Sequence, residues 1–143
     1  MKVRIRRIDK TLPLPQYKTA GAAAFDFVSR VTAEIQPKQV SYIPLNVAIE
    51  HPESHMIIML ARSSLHKKGL MLANNVGIFD TDFSGHDDEY NAAVYNFSDM
   101  PVTIEKGERI SQGFLRKYER VEWEEVDDLG NKSRGGFGTT GLI

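Results

Sequence analysis

The chain has 143 residues, with 18 lysines and arginines against 19 aspartates and glutamates, and no cysteine. That length fits one domain able to bury about two-thirds of its unfolded surface, so neither a metal nor a disulfide staple is needed. A net charge of −1 argues against a nucleic-acid-binding surface, and the missing cysteines exclude thiol catalysis and thiolate zinc while suiting a reducing, cytoplasmic setting.

Residues 1–10, MKVRIRRIDK, carry charge without an apolar stretch, so no signal peptide is expected. No apolar run approaches the ~18 residues of a membrane span. Lys2–Arg6 and Pro44–Glu50 alternate polar and apolar residues, the mark of half-buried strands. Further strands are expected over Phe25–Arg30, Met56–Leu60, Leu70–Ala73, Ala92–Phe97 and Ile110–Tyr118. Turn-forming stretches separate them at Gln36–Lys38, His51–Ser54, Ser98–Pro101 and Glu105–Glu108. One helical turn is expected at Leu65–Lys68, capped by Ser63 or Ser64 and stopped by Gly69. No 20–50-residue period recurs, so a repeat array is excluded. Many short strands and few helical signals predict an all-β sandwich, jelly roll or barrel. From Gly130 to Gly141 there are five glycines in twelve residues and nothing to form a core, which predicts a mobile arm.

Four segments carry residue types suited to chemistry. Arg62, Ser63 and Ser64 open the helical turn, where a guanidinium, two hydroxyls and backbone N–H groups can hold phosphate oxygens. An ordinary capped turn with a solvated basic face explains that segment slightly better on spacing alone. Asn74 to Gly85 brackets an apolar stretch with glycines and is expected to form a hairpin. It would present Asp80 as a carboxylate able to activate water and Phe83 as a flat wall for a sugar or base, although a plain turn held by Asx hydrogen bonds is about as good an account. Gly107 to Phe114 offers Gln112 as a phosphate donor and Arg109 as a partner for a buried carboxylate, or a bland surface hairpin. The arm adds Arg134, Thr139 and Thr140 on a backbone that can approach phosphates closely, with Phe137 as a lid.

Taken in order, and with Thr19-Ala20-Gly21-Ala22-Ala23-Ala24-Phe25-Asp26-Phe27 ahead of them, these segments resemble the five motifs of the trimeric dUTPase family. The resemblance runs from about Thr19 to Gly141. It implies a distorted jelly roll over 1–129 and a flexible arm over 130–143. It also implies a homotrimer in which the arm of one subunit closes a site built from the other two. The substrate would be dUTP, converted to dUMP and pyrophosphate with Mg²⁺. Asp80 would be the general base. Arg62, Ser63, Ser64, Gln112, Arg134, Thr139 and Thr140 would hold phosphates. Asn74, Asn75, Gly77 and Ile78 would take the uracil, Phe83 would pack on the deoxyribose and Phe137 would cover the base. The metal would ride mainly on the triphosphate, with Asp26 reaching it through water.

The sequence departs from the family pattern at several places. Phe83 replaces a usual tyrosine, and Ala24 a usual glycine. Arg134 lies two residues closer to the Gly-Phe-Gly step, where Lys132 stands near enough to share its role. His86–Asn91 is longer and more acidic than usual, and is expected to be a solvated loop rather than a metal site. The nearest rival function is dCTP deamination, whose catalytic glutamate falls three residues before an asparagine. Counted back from Asn96, that position holds Ala93. A non-catalytic nucleotide sensor on the same scaffold is the other rival, and a pure binder needs no base at position 80.

Overall fold

The computed structural model describes residues 1–136 and 139, and within them the chain is eleven strands and one 3-10 turn. In chain order these are β1 (Arg4–Arg7), β2 (Phe25–Val28), β3 (Ala33–Ile35), β4 (Val40–Pro44), β5 (Val47–Glu50) and β6 (His55–Ala61). The 3-10 turn Leu65–Lys68 follows, then β7 (Leu70–Leu72), β8 (Gly77–Phe79), β9 (Asn91–Asn96), β10 (Val102–Ile104) and β11 (Arg109–Lys117). A central sheet has the order β2-β11-β6-β8 and a second sheet β4-β9-β7, with two flanking pairs, β1-β5 and β10-β3. Every pairing is antiparallel and most join strands distant in sequence. This is the all-β, jelly-roll architecture expected.

Burial follows from the pleat. Phe27, Ile57, Met59 and Ile110 of the central sheet meet Ile43, Leu70, Leu72, Ala92 and Val94 of the second sheet in one core. Fully burying each large aliphatic or aromatic side chain contributes about 1.5–3 kcal/mol. Gly113 lets β11 lie against β2, since a Cβ there would stand 2.6 Å from the ring of Phe27. Overpacking of that kind costs about 1–3 kcal/mol.

The structure differs from the sequence expectation in several elements. Pro44–Glu50 is not one alternating strand. It breaks at Asn46, whose φ is +69°, and all residues from Leu45 to Ile49 are buried. The break is held by hydrogen bonds. Asn46 Oδ1 accepts from Asp9 N (2.6 Å), its Nδ2 donates to the Asp9 carbonyl (3.0 Å), and its backbone N–H donates to Glu89 Oε1 (2.9 Å). Glu89 in turn takes a two-pronged bond from Arg30, at 2.7 and 2.9 Å. The His86–Asn91 run is therefore solvated at His86 and Asp87 but anchored inward at Glu89. Strands β3, β4 and β10 were not expected, because three to five residues give too short a pattern to stand out.

The turn at Leu65–Lys68 ends as expected on Gly69 in the left-handed region (φ +78°), the conformation glycine adopts most cheaply. Ser64 holds the N-cap position, yet its hydroxyl makes no capping bond and remains exposed. Beyond Lys117 no regular element occurs among the described residues, and residues 119–135 are exposed. Among the described residues no helix is long and apolar enough to cross a membrane.

Candidate functional site

The candidate residues gather at the two ends of β6. At its C-terminal end stand Arg62, Ser63 and Ser64, beside Asp26 on β2 and Arg109 and Gln112 on β11. The register there is uneven: Arg109 lies opposite Val28 and Ser111 opposite Phe27, so Ile110 is an extra residue, a β-bulge. Bulges re-aim side chains, and the next pair, Gln112 opposite Asp26, brings β11 onto the carboxylate. Asp26, its side chain only 12% exposed, takes Arg62 Nε on one oxygen (3.2 Å) and Arg109 Nη1 on the other (2.8 Å). Arg62 also donates to the Arg109 carbonyl (3.1 Å), and Gln112 Nε2 donates to the Ala61 carbonyl (3.0 Å).

A cavity of about 510 Å³ opens beside this cluster, walled by Arg62, Ser64, Lys67, Lys68, Glu108 and Arg109 among others. Lys68 is fixed there by both Glu108 oxygens (2.6 and 2.8 Å) and the Thr103 carbonyl (2.9 Å). Four cations thus face one opening, and two carboxylates hold three of them, Arg62, Arg109 and Lys68, in place. Local charge of this kind can receive a polyphosphate although the whole chain is nearly neutral.

The other end of β6 carries the Asp80 segment. Phe79 pairs with Ile57, Ile78 with Ile58 and Gly77 with Met59, which sets Asp80 level with Met56. Arg62 is six residues further along, roughly 20 Å at a strand's rise of about 3.3 Å per residue. The expected hairpin is instead a crossover. β7 belongs to the second sheet and β8 to the central one, joined by a turn through Asn75 (φ +59°). β9 claims β7 and β6 claims β8, so the two short strands never pair with each other.

Asn74 and Asn75 are exposed in that turn, Gly77 is buried and Ile78 is 57% exposed. Asp80 lines an open cavity of about 380 Å³ with Thr81, Asp82, Tyr118 and Arg120. Its carboxylate has no ion pair or hydrogen bond among the described residues. Phe83 is 39% exposed and sits on an aromatic stack. Phe79 and Tyr90 lie face to face at 3.6 Å, with the Phe83 ring 6.0 Å from Tyr90 and 29° from parallel. Burial pushes the Tyr90 phenol upward, and its hydroxyl has no partner among the described residues.

The fold therefore brings Arg62, Ser63, Ser64, Gln112 and Asp26 together at one end of β6 and Asp80 and Phe83 at the other, with Ile78 and Gly77 between them opposite Ile58 and Met59, and Asn74 and Asn75 in the turn ahead of Gly77. Within one chain it does not bring the two groups to each other. Arg134 and Thr139 are exposed in the terminal segment, while Phe137 and Thr140 lie outside the described residues. Sequence reasoning missed Tyr90 as the support of Phe83, and Thr81 and Tyr118 as neighbours of Asp80. The aromatic spacing Phe79, Phe83, Tyr90 was the available signal for the first. Nothing in the sequence marks the pairing of Thr81 with Tyr118. Among the described residues no three His, Asp or Glu side chains group closely enough to hold a metal.

Comparison with known proteins matches a family model described as dUTPase over residues 10–141. A deoxyuridine 5'-triphosphate nucleotidohydrolase of Dictyoglomus turgidum is 39% identical over 149 aligned positions, covering 99% of both chains. The crystal structure of dUTPase from Streptococcus mutans superposes with a TM-score of 0.76 at 28% identity, over 83% of this chain and 98% of that one. A mutant dUTPase from phage phi11 of S. aureus, a structure with a structural Mg(II) ion, gives 0.79 at 17% identity over 90% and 99%, and attests the fold alone.

Proposed function

The chain belongs to the dUTPase family, an enzyme family that hydrolyses dUTP, and on that premise we propose how its residues divide the work. Asp80 is the general base: it takes a proton from the water that attacks the α-phosphorus, and pyrophosphate leaves. A positioned base contributes about 10²–10⁴ in rate. Arg62, Ser63, Ser64 and Gln112 hold the phosphate oxygens, where fixed donors and cations meet the charge that builds in the transition state. Asn74, Asn75, Gly77 and Ile78 offer amide and backbone groups to uracil. Phe83, backed by Phe79 and Tyr90, lies against the deoxyribose and leaves no room for a 2′-hydroxyl.

The observation that carries this reading is the division of the site along β6. Asp80 is exposed at one end, unpaired among the described residues, and the arginine cluster stands roughly 20 Å away at the other. A base must come within about 3 Å of the proton it removes, so the two halves act on one nucleotide only if they come from different subunits. A homotrimer with shared sites supplies that arrangement. Residues 130–143 then form the arm, with Arg134 toward the γ-phosphate, Thr139 and Thr140 on phosphate oxygens, and Phe137 over the base.

Mg²⁺ would bind chiefly to the triphosphate and offset its charge. Asp26 fits a water-mediated contact with it rather than a direct one, because its two oxygens are already ion-paired, one with Arg62 and the other with Arg109. Deamination of dCTP lacks support. Ala93 stands where that chemistry needs a carboxylate, and Asn96 is spent on the Ile35 and Met100 carbonyls at 2.9 and 2.7 Å.

A substrate panel tests the proposal. Pyrophosphate should appear from dUTP with Mg²⁺, fall sharply when the metal is chelated, and appear far more slowly from dCTP and UTP. Ammonia release from dCTP would overturn the reading. Equal kcat/KM for UTP and dUTP would remove Phe83 from the sugar contact.

A further inference from the structure

Asp80 has no side-chain partner of its own among the described residues, so its aim depends on the backbone that carries it. On one side that backbone is fixed by the β8–β6 ladder, which ends at Phe79 opposite Ile57. On the other side the Asp80 carbonyl accepts from Phe83 N at 3.1 Å, closing a tight turn. Between these two restraints comes Thr81, half-buried, whose hydroxyl meets two groups from elsewhere in the chain. It donates to the His55 carbonyl at 3.1 Å and lies 3.3 Å from the Tyr118 hydroxyl. With the Thr81 proton committed to the carbonyl, Tyr118 is the donor in the second contact. Tyr118 is held in turn, since its amide donates to the Ser54 carbonyl at 2.9 Å. Tyr118 and Thr81 also wall the same cavity as Asp80.

We propose that Thr81, braced by the His55 carbonyl and the Tyr118 hydroxyl, is a positioning residue that aims the Asp80 carboxylate at the attacking water. This rests on the reading of Asp80 as the base. A small misplacement of a catalytic group is expensive, about 10²-fold for ~1 Å. A hydroxyl one residue away from an otherwise unbraced carboxylate is well placed to prevent it. Threonine suits the position because its methyl group limits χ1, so the hydroxyl stays on its two partners.

The test is steady-state turnover of dUTP by the full chain with Mg²⁺, on Thr81→Val, Thr81→Ser, Tyr118→Phe, Asp80→Asn and the Asp80→Asn/Thr81→Val pair. Valine keeps the shape and removes the hydroxyl. It should lower kcat by about tenfold with KM nearly unchanged, while serine retains most of the wild-type rate. Tyr118→Phe, which removes a single oxygen and spares the turn if valine impairs folding, should move kcat the same way by less. In the Asp80→Asn background Thr81→Val should cost nothing more, because the group it aims is gone. Wild-type kcat in both Thr81→Val and Tyr118→Phe, or an equal loss from Thr81→Val with and without Asp80, would overturn the brace. Near-normal kcat in Asp80→Asn would instead overturn the base assignment beneath it.

Discussion

The two ends of β6 hold opposite kinds of site. At the Arg62 end three of the four cations are answered before any ligand arrives: Asp26 binds two arginines and Glu108 clasps Lys68, while Lys67 has no side-chain partner among the described residues. At the Asp80 end the carboxylate stands exposed and unanswered among the described residues. The contrast has a physical logic. Clustered cations repel one another, so a site for a polyanion is built around carboxylates that hold it together while it is empty. A base must do the reverse, because an ion pair on its oxygens would lower its basicity and occupy the lone pair it needs.

If that contrast is functional, breaking each end should give different kinetics. The largest effect is expected from Asp80→Asn, a near-isosteric change at an exposed position. Turnover should fall by about 10²–10⁴, while melting temperature and binding of a non-hydrolysable dUTP analogue stay close to wild type. Loss of analogue binding would mean the carboxylate serves recognition rather than proton transfer.

Arg62→Ala should reduce kcat/KM by about 10² through weakened binding as well as rate. Mixing the Asp80→Asn and Arg62→Ala chains under conditions that let subunits exchange should recover part of the activity, since some sites then draw an intact end from each parent. A mixture no better than its parents would show that each site is built within one chain. Cutting the chain after Leu129 should leave melting unchanged, because no described core residue lies beyond it, yet reduce turnover severely if the arm completes the site.

The smallest effect concerns the tie between the two arginines. Asp26→Asn keeps the side chain's size and removes its charge. The Mg²⁺ concentration for half-maximal rate should rise, and an unchanged metal requirement would free Asp26 from that role.

Much of this was legible in the sequence, and the boundary is instructive. Residues that act as a contiguous run could be read directly. Arg62, Ser63 and Ser64 lie at the start of a turn stopped by Gly69, and Asp80 follows a short apolar stretch that does become a strand. What escaped depends on residues far apart in the chain. A buried carboxylate for Arg109 was one of two equal readings of that segment, and its identity as Asp26, 83 positions away, follows from the bulge at Ile110. The crossover between β7 and β8 was invisible because a turn rich in asparagine and glycine suits a hairpin equally well. Only the neighbours that capture each strand decide the matter. Glu89 looked like one acid in a solvated run, and its inward anchoring needed Arg30 and Asn46 to reveal it.

The place of β11 in the central sheet has a consequence for how the protein comes into being. This strand lies between β2 and β6, yet it is the last of the described strands to leave the ribosome. Until residues 109–117 are made, β2 and β6 have no partner between them, and the inner faces of Phe27, Ile57 and Met59 wait without a closed sheet. Folding therefore cannot proceed element by element along the nascent chain, and such non-local pairing is slow, in the range of about milliseconds to seconds. During that interval the unpaired strand edges are open to other chains. A stop codon before Arg109 would not yield a slightly shorter enzyme but an aggregation-prone fragment, whereas one after Leu129 would yield a folded protein.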